Sequence, residues 1–244
     1  MLTAEEVCQR TTMANRKRFV GWHVQTTELR VDPRTTNQAI AKWLAEEYVV
    51  QFCFNSQITS VSGHRVMSAT GEQWTTDRIV IFCSGSDLQT LCPEAFVNSG
   101  SMLCKRQILR TGLQPDIGEA TPHIVSGLTL RHYCSFESCQ IHRAWCERIA
   151  GEFSLLDRFR IHVMASVFPN GEVVLGDSHE YGDDITPFDK SEIDELLLQE
   201  LKKVICLENC TIRQTWHGIY AKHPTLPVFQ NWSSQPYICL SVPE

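Results

Sequence analysis

The sequence predicts an α+β fold with α/β elements: a mixed β-sheet covered by helices, joined to a smaller part that holds a parallel strand. Three observations carry this. The run Arg78-Ile79-Val80-Ile81-Phe82-Cys83 is apolar on both strand faces, the pattern of a strand buried inside a parallel sheet. Pro169-Asn170-Gly171 separates two apolar runs, 161–168 and 172–176, and Asn-Gly suits the positive φ of a tight hairpin. After Ser191, the residues Ile193, Leu196, Leu197, Leu201 and Val204 recur at helical spacing, so that helix carries one apolar stripe that must cover a sheet.

The remaining elements follow in order. Asp32-Pro33 supplies an N-cap and a proline at the first helical position, and Ile40, Trp43 and Leu44 then predict a helix over 33–47. Short strand candidates at 49–54, 57–61, 65–69 and 73–76, with Gly71-Glu72 as a turn, predict a small meander. A short helix is expected over 88–96, strands over 104–111 and 123–133, a helix over 141–153, and final strands over 212–220 and 237–242. No internal repeat or low-complexity tract interrupts them.

Composition narrows the function. At 244 residues, 43% hydrophobic and 20% charged, the chain is long enough for one large domain or two small ones, and disorder is not indicated. A net charge of −6 leaves no basic field to neutralise phosphates, and the short Arg16-Lys17-Arg18 run reads as a solvated loop, so nucleic acid is not expected as a partner. Residues 1–10 are polar, and neither a signal peptide nor a membrane span follows from them. Eleven cysteines, odd in number, scattered and never in Cys-x-x-Cys pairs, predict reduced thiols in a cytoplasmic protein. Cys134, Cys139, His142 and Cys146 are near enough in sequence to tempt a zinc reading. Their spacing matches no tight knuckle, however, and Ile141, Trp145 and Ile149 mark a helix that buries cysteines as small hydrophobes, so no metal is expected. Asp183, Asp184, Asp189 and Glu192 read as a solvated acidic surface.

Two blocks, 173–182 and 216–224, run from apolar strand residues into dense titratable clusters, the way a rigid strand presents polar groups to a small-molecule cleft. No Gly-x-Gly-x-x-Gly occurs anywhere. Read in order, Thr27-Glu28-Leu29-Arg30-Val31-Asp32-Pro33, the stretch 79–85, Gly127-Leu128-Thr129-Leu130-Arg131-His132-Tyr133, and the blocks 175–182 and 216–224 resemble the D-amino-acid oxidase and glycine oxidase superfamily over about 21–232. The branch associated with aminophosphonate breakdown is the one most resembled. The resemblance implies FAD as cofactor. It implies a fold with a substrate domain at 101–225, a remnant of a Rossmann-like FAD-binding domain at 1–100 that lacks its Gly-rich βαβ unit, and a return to that domain at 226–244. Both flavin-gripping ends of the family are expected to be missing from this chain.

The same resemblance implies the site. The backbone of Ile58 would lie near the adenine, and the small turn Cys83-Ser84-Gly85 would let the chain approach the dinucleotide. His179, after the strand ending in Gly176, and His162, on the facing strand, would line the substrate pocket. Family members carry an arginine soon after Trp-x-Gly, but here the stretch reads Ile219-Tyr220-Ala221-Lys222-His223. An ordinary amino-acid carboxylate is therefore in doubt, and a tetrahedral anion held by Tyr220, Lys222 and His223, with Arg131 and His132 adding to it, is the expectation. Trp216 is expected in the core. No catalytic acid–base residue is expected, because the cofactor carries the hard step and an amine bound in its neutral form needs no base. The chain thus reads as an FAD-dependent oxidoreductase of a small anionic amine, with a second polypeptide supplying the missing half. Alternatively, it is a non-catalytic truncated domain that binds a small anion or a partner protein.

Overall fold

The computed structural model describes residues 2–223 except 16, 18–21, 28, 79, 88, 92, 98, 116, 118–120 and 183, together with 230–231 and 237–239. Arg16, Arg18, Glu28, Ile79, Asp183 and the last expected strand beyond 239 lie outside the described residues. The helices are α1 (Ala4–Cys8), α2 (Pro33–Tyr48), α3 (Pro93–Val97), α4 (Gly127–Leu130), α5 (Gln140–Glu152), α6 (Ser154–Arg158) and α7 (Ser191–Val204). The strands are β1 (Ile58–Ser62), β2 (Arg65–Ser68), β3 (Gln73–Thr75), β4 (Val80–Phe82), β5 (Met102–Thr111), β6 (Ile124–Val125), β7 (Met164–Val167), β8 (Val173–Gly176), β9 (Glu180–Gly182), β10 (Ile212–Lys222), β11 (Gln230–Asn231) and β12 (Tyr237–Cys239). The mixture of helices with parallel and antiparallel strands is the expected α+β class. The chain divides into two compact units, Met1–Arg30 with Cys104–Ile219 and Val31–Leu103 with Tyr220–Glu244, so the first thirty residues join the later segment.

In the first unit the strands run β10-β5-β8-β7-β6, with β9 paired to β5. β7 and β8 form the expected hairpin, antiparallel with Val167 opposite Val173, and Gly171 takes φ +82 in its turn, where a side chain would be strained. The apolar stripe of α7 is buried as its spacing requires: Ile193 and Leu197 are 0% exposed, Leu201 2% and Val204 7%. They pack in one core with Leu109, Val163, Ala165, Val167, Val173 and Leu175 from the sheet and with Leu156, Phe159 and Ile161 ahead of it. Each such aliphatic removed from water contributes about 1.5–3 kcal/mol.

The stretch 123–133 departs from expectation. Only Ile124–Val125 is strand, and α4 follows. The sequence Gly-Leu-Thr-Leu is apolar enough for a strand, but its hydrogen bonds go elsewhere. The Thr129 hydroxyl donates to the Val163 carbonyl at 3.2 Å and accepts from the Val163 amide at 2.8 Å, while Leu128 packs on the core. One turn of helix places both side chains inward.

A buried ammonium fixes the segment before α7. Lys105 is 0% exposed, and its Nζ donates to the carbonyls of Thr186 (3.1 Å) and Phe188 (2.5 Å) and pairs with Asp189 at 3.0 Å. Asp189 also meets His217 Nδ1 at 2.7 Å, so this member of the acidic stretch is an ion-pair partner rather than a solvated charge. Desolvation pushes its pKa up, but the bonds from Lys105 and His217 outweigh it and hold the carboxyl below the usual range.

The second unit is built differently. α2 starts as expected, with Asp32 accepting from the Arg34 amide at 3.0 Å and Pro33 in the first turn, yet none of its residues is buried. β1, β2 and β3 form an antiparallel meander in that order. The expected strand at 49–54 is absent. Val49 takes a left-handed φ of 57 to cap α2, the Val50 amide donates to the Leu44 carbonyl, and those residues are spent on ending the helix. β4 does pair in parallel, with β12, which pairs in turn with β11. Among the described residues it is the outer strand of that sheet; Phe82 is buried while Ile81 on the opposite face is 55% exposed, and burial on both faces is corrected to burial on one. Among the described residues, no helix is long and apolar enough to cross a membrane.

Candidate functional site

In the first unit, β7 and β8 bring a set of histidines together at one end of the sheet. His162 immediately precedes the Val163 that α4 grips, and its amide donates to the Asp177 carbonyl at 2.7 Å. Asp177-Ser178-His179 connects β8 to β9. The Ser178 amide donates to the Gln107 carbonyl at 3.3 Å, and the His179 amide donates to the Phe159 carbonyl at 2.9 Å. Backbone bonds therefore set where each side chain starts. The His162 ring stacks on His132 at 4.3 Å between centroids and meets His179, tilted, also at 4.3 Å. Tyr133 stands edge-on to His162, and Tyr181 is parallel to His179.

Their burial limits what they can touch. His162 is 2% exposed, His179 and Asp177 1% each, and Ser178 0%. Arg106 Nε and a terminal guanidinium nitrogen both engage Asp177 Oδ2, so a half-exposed cation reaches in to an interior carboxylate. Arg131, in the turn after α4, is also interior: it pairs with Asp157 at 2.6 Å and donates to the Leu156 carbonyl at 3.0 Å. Those bonds tie α4 to α6. Of the expected substrate residues, His132, His162 and His179 are thus neighbours, and Arg131 is occupied with Asp157. Sequence reasoning did not single out Asp177 and Arg106. Asp177 was visible as the first residue of an Asp-x-His step at a strand end. Arg106 had no local signal, because only the pairing of β5 with β8 brings it across.

Tyr220, Lys222 and His223 belong to the second unit with Ile58, Cys83, Ser84 and Gly85. Strand alternation puts Tyr220 and Lys222 on one face of β10 and the buried Ala221 on the other. His223 follows the strand, and its Nε2 lies 2.7 Å from the Ser99 carbonyl, which can only accept, so this nitrogen carries the proton. The same Nε2 is 3.7 Å from the position a Cβ would take on Gly100, which has φ +78. Trp216 is half-buried.

Ile58 opens β1 opposite Ser68, beside an irregularity in register. After β4 the turn at Cys83-Ser84-Gly85 is open: Cys83 is exposed, Gly85 has φ +64, and a Cβ built there meets nothing within 4 Å. The turn is closed by its own groups. The Ser84 hydroxyl donates to the Asp87 carbonyl at 3.0 Å, and the Asp87 carboxylate accepts the amides of Gln89 and Thr90. Hydrogen bonds from Thr90 hold that carboxyl below its usual range. Such a turn fits close approach by an uncharged part of a nucleotide. A diphosphate would find the amides of Gln89 and Thr90 after the turn already taken by the Asp87 carboxylate.

The nine cysteines with described side chains are all free thiols. Cys134 and Cys139 are exposed, while His142 and Cys146 both turn to the Arg131 carbonyl, at 3.0 and 3.8 Å.

A largely antiparallel sheet with a covering helix occurs in one unit and a parallel strand followed by an open glycine turn in the other. The FAD dependent oxidoreductase (DAO) family profile matches residues 1–240, and the chain belongs to that family. FAD is the cofactor the family implies. No curated protein matches the chain at a significant level. Among solved structures, L-proline dehydrogenase from P.horikoshii is similar over 98% of this chain and 57% of its own, at 17% identity and a TM-score of 0.68. The chain therefore spans little more than half the length of that protein, and the likeness shows the shared fold. Glycine oxidase from Bacillus cereus ATCC 14579 is similar over 78% of this chain and 42% of its own, at 12% identity and a TM-score of 0.48.

Proposed function

We propose that this chain is the substrate-side part of an FAD-dependent oxidoreductase acting on the C–N bond of a small anionic amine, an aminophosphonate being the preferred candidate. The family match over residues 1–240 carries the reading. When bound, the flavin would supply the acceptor for the hydride that leaves the carbon bearing the nitrogen. Ile58, Cys83, Ser84 and Gly85 would approach the cofactor. The diphosphate would need groups beyond these, and a partner polypeptide gripping the nucleotide is part of the proposal.

The chain's own residues would bind and orient. Lys222 offers a compact point charge and Tyr220, on the same strand face, a phenol donor. Together they suit a tetrahedral anion better than the planar fork a carboxylate prefers. His223 directs its Nε2 proton to the Ser99 carbonyl, so it would donate Nδ1–H to the anion only as the imidazolium. Arg131 is held by Asp157, His162 and His179 are buried, and the half-buried His132 is stacked on His162; the anion is assigned to Tyr220, Lys222 and His223 for their charge and donor chemistry. The absence of any buried residue on α2 supports a second reading, a non-catalytic domain whose surface is covered by a partner protein.

FAD titration of the full chain, followed by flavin fluorescence and absorbance, separates the two. Uptake of flavin supports the oxidoreductase, and a chain that stays colourless in excess FAD both alone and together with any polypeptide that co-purifies with it overturns the reading. In the flavin-loaded protein, Lys222→Met should raise KM for an anionic amine at least about tenfold more than for a neutral one, the loss of one charge-assisted contact. Equal changes for both amines would remove Lys222 from the site.

A further inference from the structure

We infer that His162, Asp177 and His179 form a binding site for one divalent first-row transition metal ion of the zinc class. This goes beyond the flavin reading and departs from the expectation of no metal. Among the described residues they are the group whose ligand atoms come together, all within 4.8 Å of one another, and all three residues are buried. Two imidazoles and a carboxylate are the donor set of such ions, whereas magnesium and calcium prefer oxygen alone. A tetrahedral ion with bonds of about 2.1 Å sets its ligand atoms about 3.4 Å apart, so rotations moving each atom by roughly an ångström would close the site. A water or small anion would fill the fourth position.

Two features prepare the site. The His179 Nδ1 lies 3.4 Å from the Arg160 carbonyl, which can only accept. That contact favours the Nδ1–H tautomer and leaves Nε2 as the ligand nitrogen, the usual outer-shell arrangement for metal-bound histidine. The bonds His162 amide to Asp177 carbonyl and His179 amide to Phe159 carbonyl fix the three backbones without using any side-chain ligand atom. Arg106 on Asp177 Oδ2 orients the carboxylate but adds a positive charge nearby, so micromolar rather than nanomolar affinity is expected.

The cysteine cluster is the competing sink for a metal, and cobalt tells the two apart. Co2+ added to the chelator-treated full chain should bind at one ion per chain and give visible d–d absorption of tetrahedral intensity, with no sulfur-to-cobalt charge-transfer band. His162→Ala and His179→Ala should each weaken binding at least about 100-fold, and Asp177→Asn at least about tenfold, with circular dichroism as the check on folding. X-ray absorption on the zinc-loaded wild type gives an answer even where a variant fails to fold: a shell of nitrogen and oxygen with imidazole scattering is expected. A sulfur shell, a thiolate band, no binding at millimolar metal, or undiminished binding by folded His162→Ala and His179→Ala overturns the site.

Discussion

The two units solve the burial problem differently. In the first, α7 lays four apolar side chains on a sheet, and Lys105, Gln107 and Asp189 close the polar interior beneath the loop leading into it. In the second, a longer helix, α2, has Ile40 48% and Trp43 50% exposed, and the strands are mostly three to five residues long. Helix length is therefore no guide to helix packing. What differs is the stripe: α7 repeats Ile193, Leu197, Leu201 and Val204 over three turns, whereas the stripe of α2 is confined to Ile40, Trp43 and Leu44 among threonines, alanines and charges.

Mutations sharpen that contrast. Leu197→Ala should cost about 2–5 kcal/mol in urea unfolding, the range for emptying a fully buried leucine site. Ile40→Ala should stay within about 0.5 kcal/mol, as surface changes do. Comparable losses at both would show that α2 is packed in solution and the contrast false. If the units unfold separately, the Leu197 change moves one transition and leaves the other in place.

A smaller effect is expected at Asp189. Asp189→Asn leaves the buried Lys105 ammonium with carbonyls but no counter-charge, at about 1–3 kcal/mol near neutral pH. The folded pKa of Asp189 lies below its unfolded value, so its contribution is complete above the unfolded pKa and is lost as pH falls through the lower, folded one. Asp194 runs the other way: burial raises its pKa against the bond from Gln107, so its protonation favours the fold as pH falls. Stability against pH measured for wild type and Asp189→Asn should converge in acid. Curves that stay parallel down to acid pH would take Asp189 out of the network. Smallest of all, Asp32→Ala should lower helicity slightly, read by circular dichroism, and leave the Leu197-dependent transition untouched.

Much of this was legible. Asp32-Pro33, the α7 stripe and Asn170-Gly171 are local signals: α2 and α7 start where their caps placed them and β8 one residue later than expected, whereas β7 starts at Met164, three residues into its apolar run. The capping box that starts α1, with the Glu6 amide on Thr3 and the Thr3 amide on Glu6, was equally local though short. What could not be read depended on distant pairing. The stretch 123–133 has strand composition, and only Val163 makes α4 of part of it. The double apolar character of β4 promised two covered faces, but distant segments cover only the face that carries Phe82. The histidines were visible as titratable residues at strand ends. Their mutual stacking was not, because 132, 162 and 179 become neighbours only through the hairpin and the α4 turn.

The grip of Thr129 on Val163 has a consequence of its own. By bonding both polar backbone groups of one residue, whose carbonyl also accepts the Ser126 amide at 2.9 Å, the Thr129 alcohol acts as an index pin for the chain entering β7. A slip of a single position there would turn His162 outward and strand two bonds at once. Serine could replace the pin and valine, though the same shape, could not, so the imidazole cluster is hostage to an oxygen that never touches it.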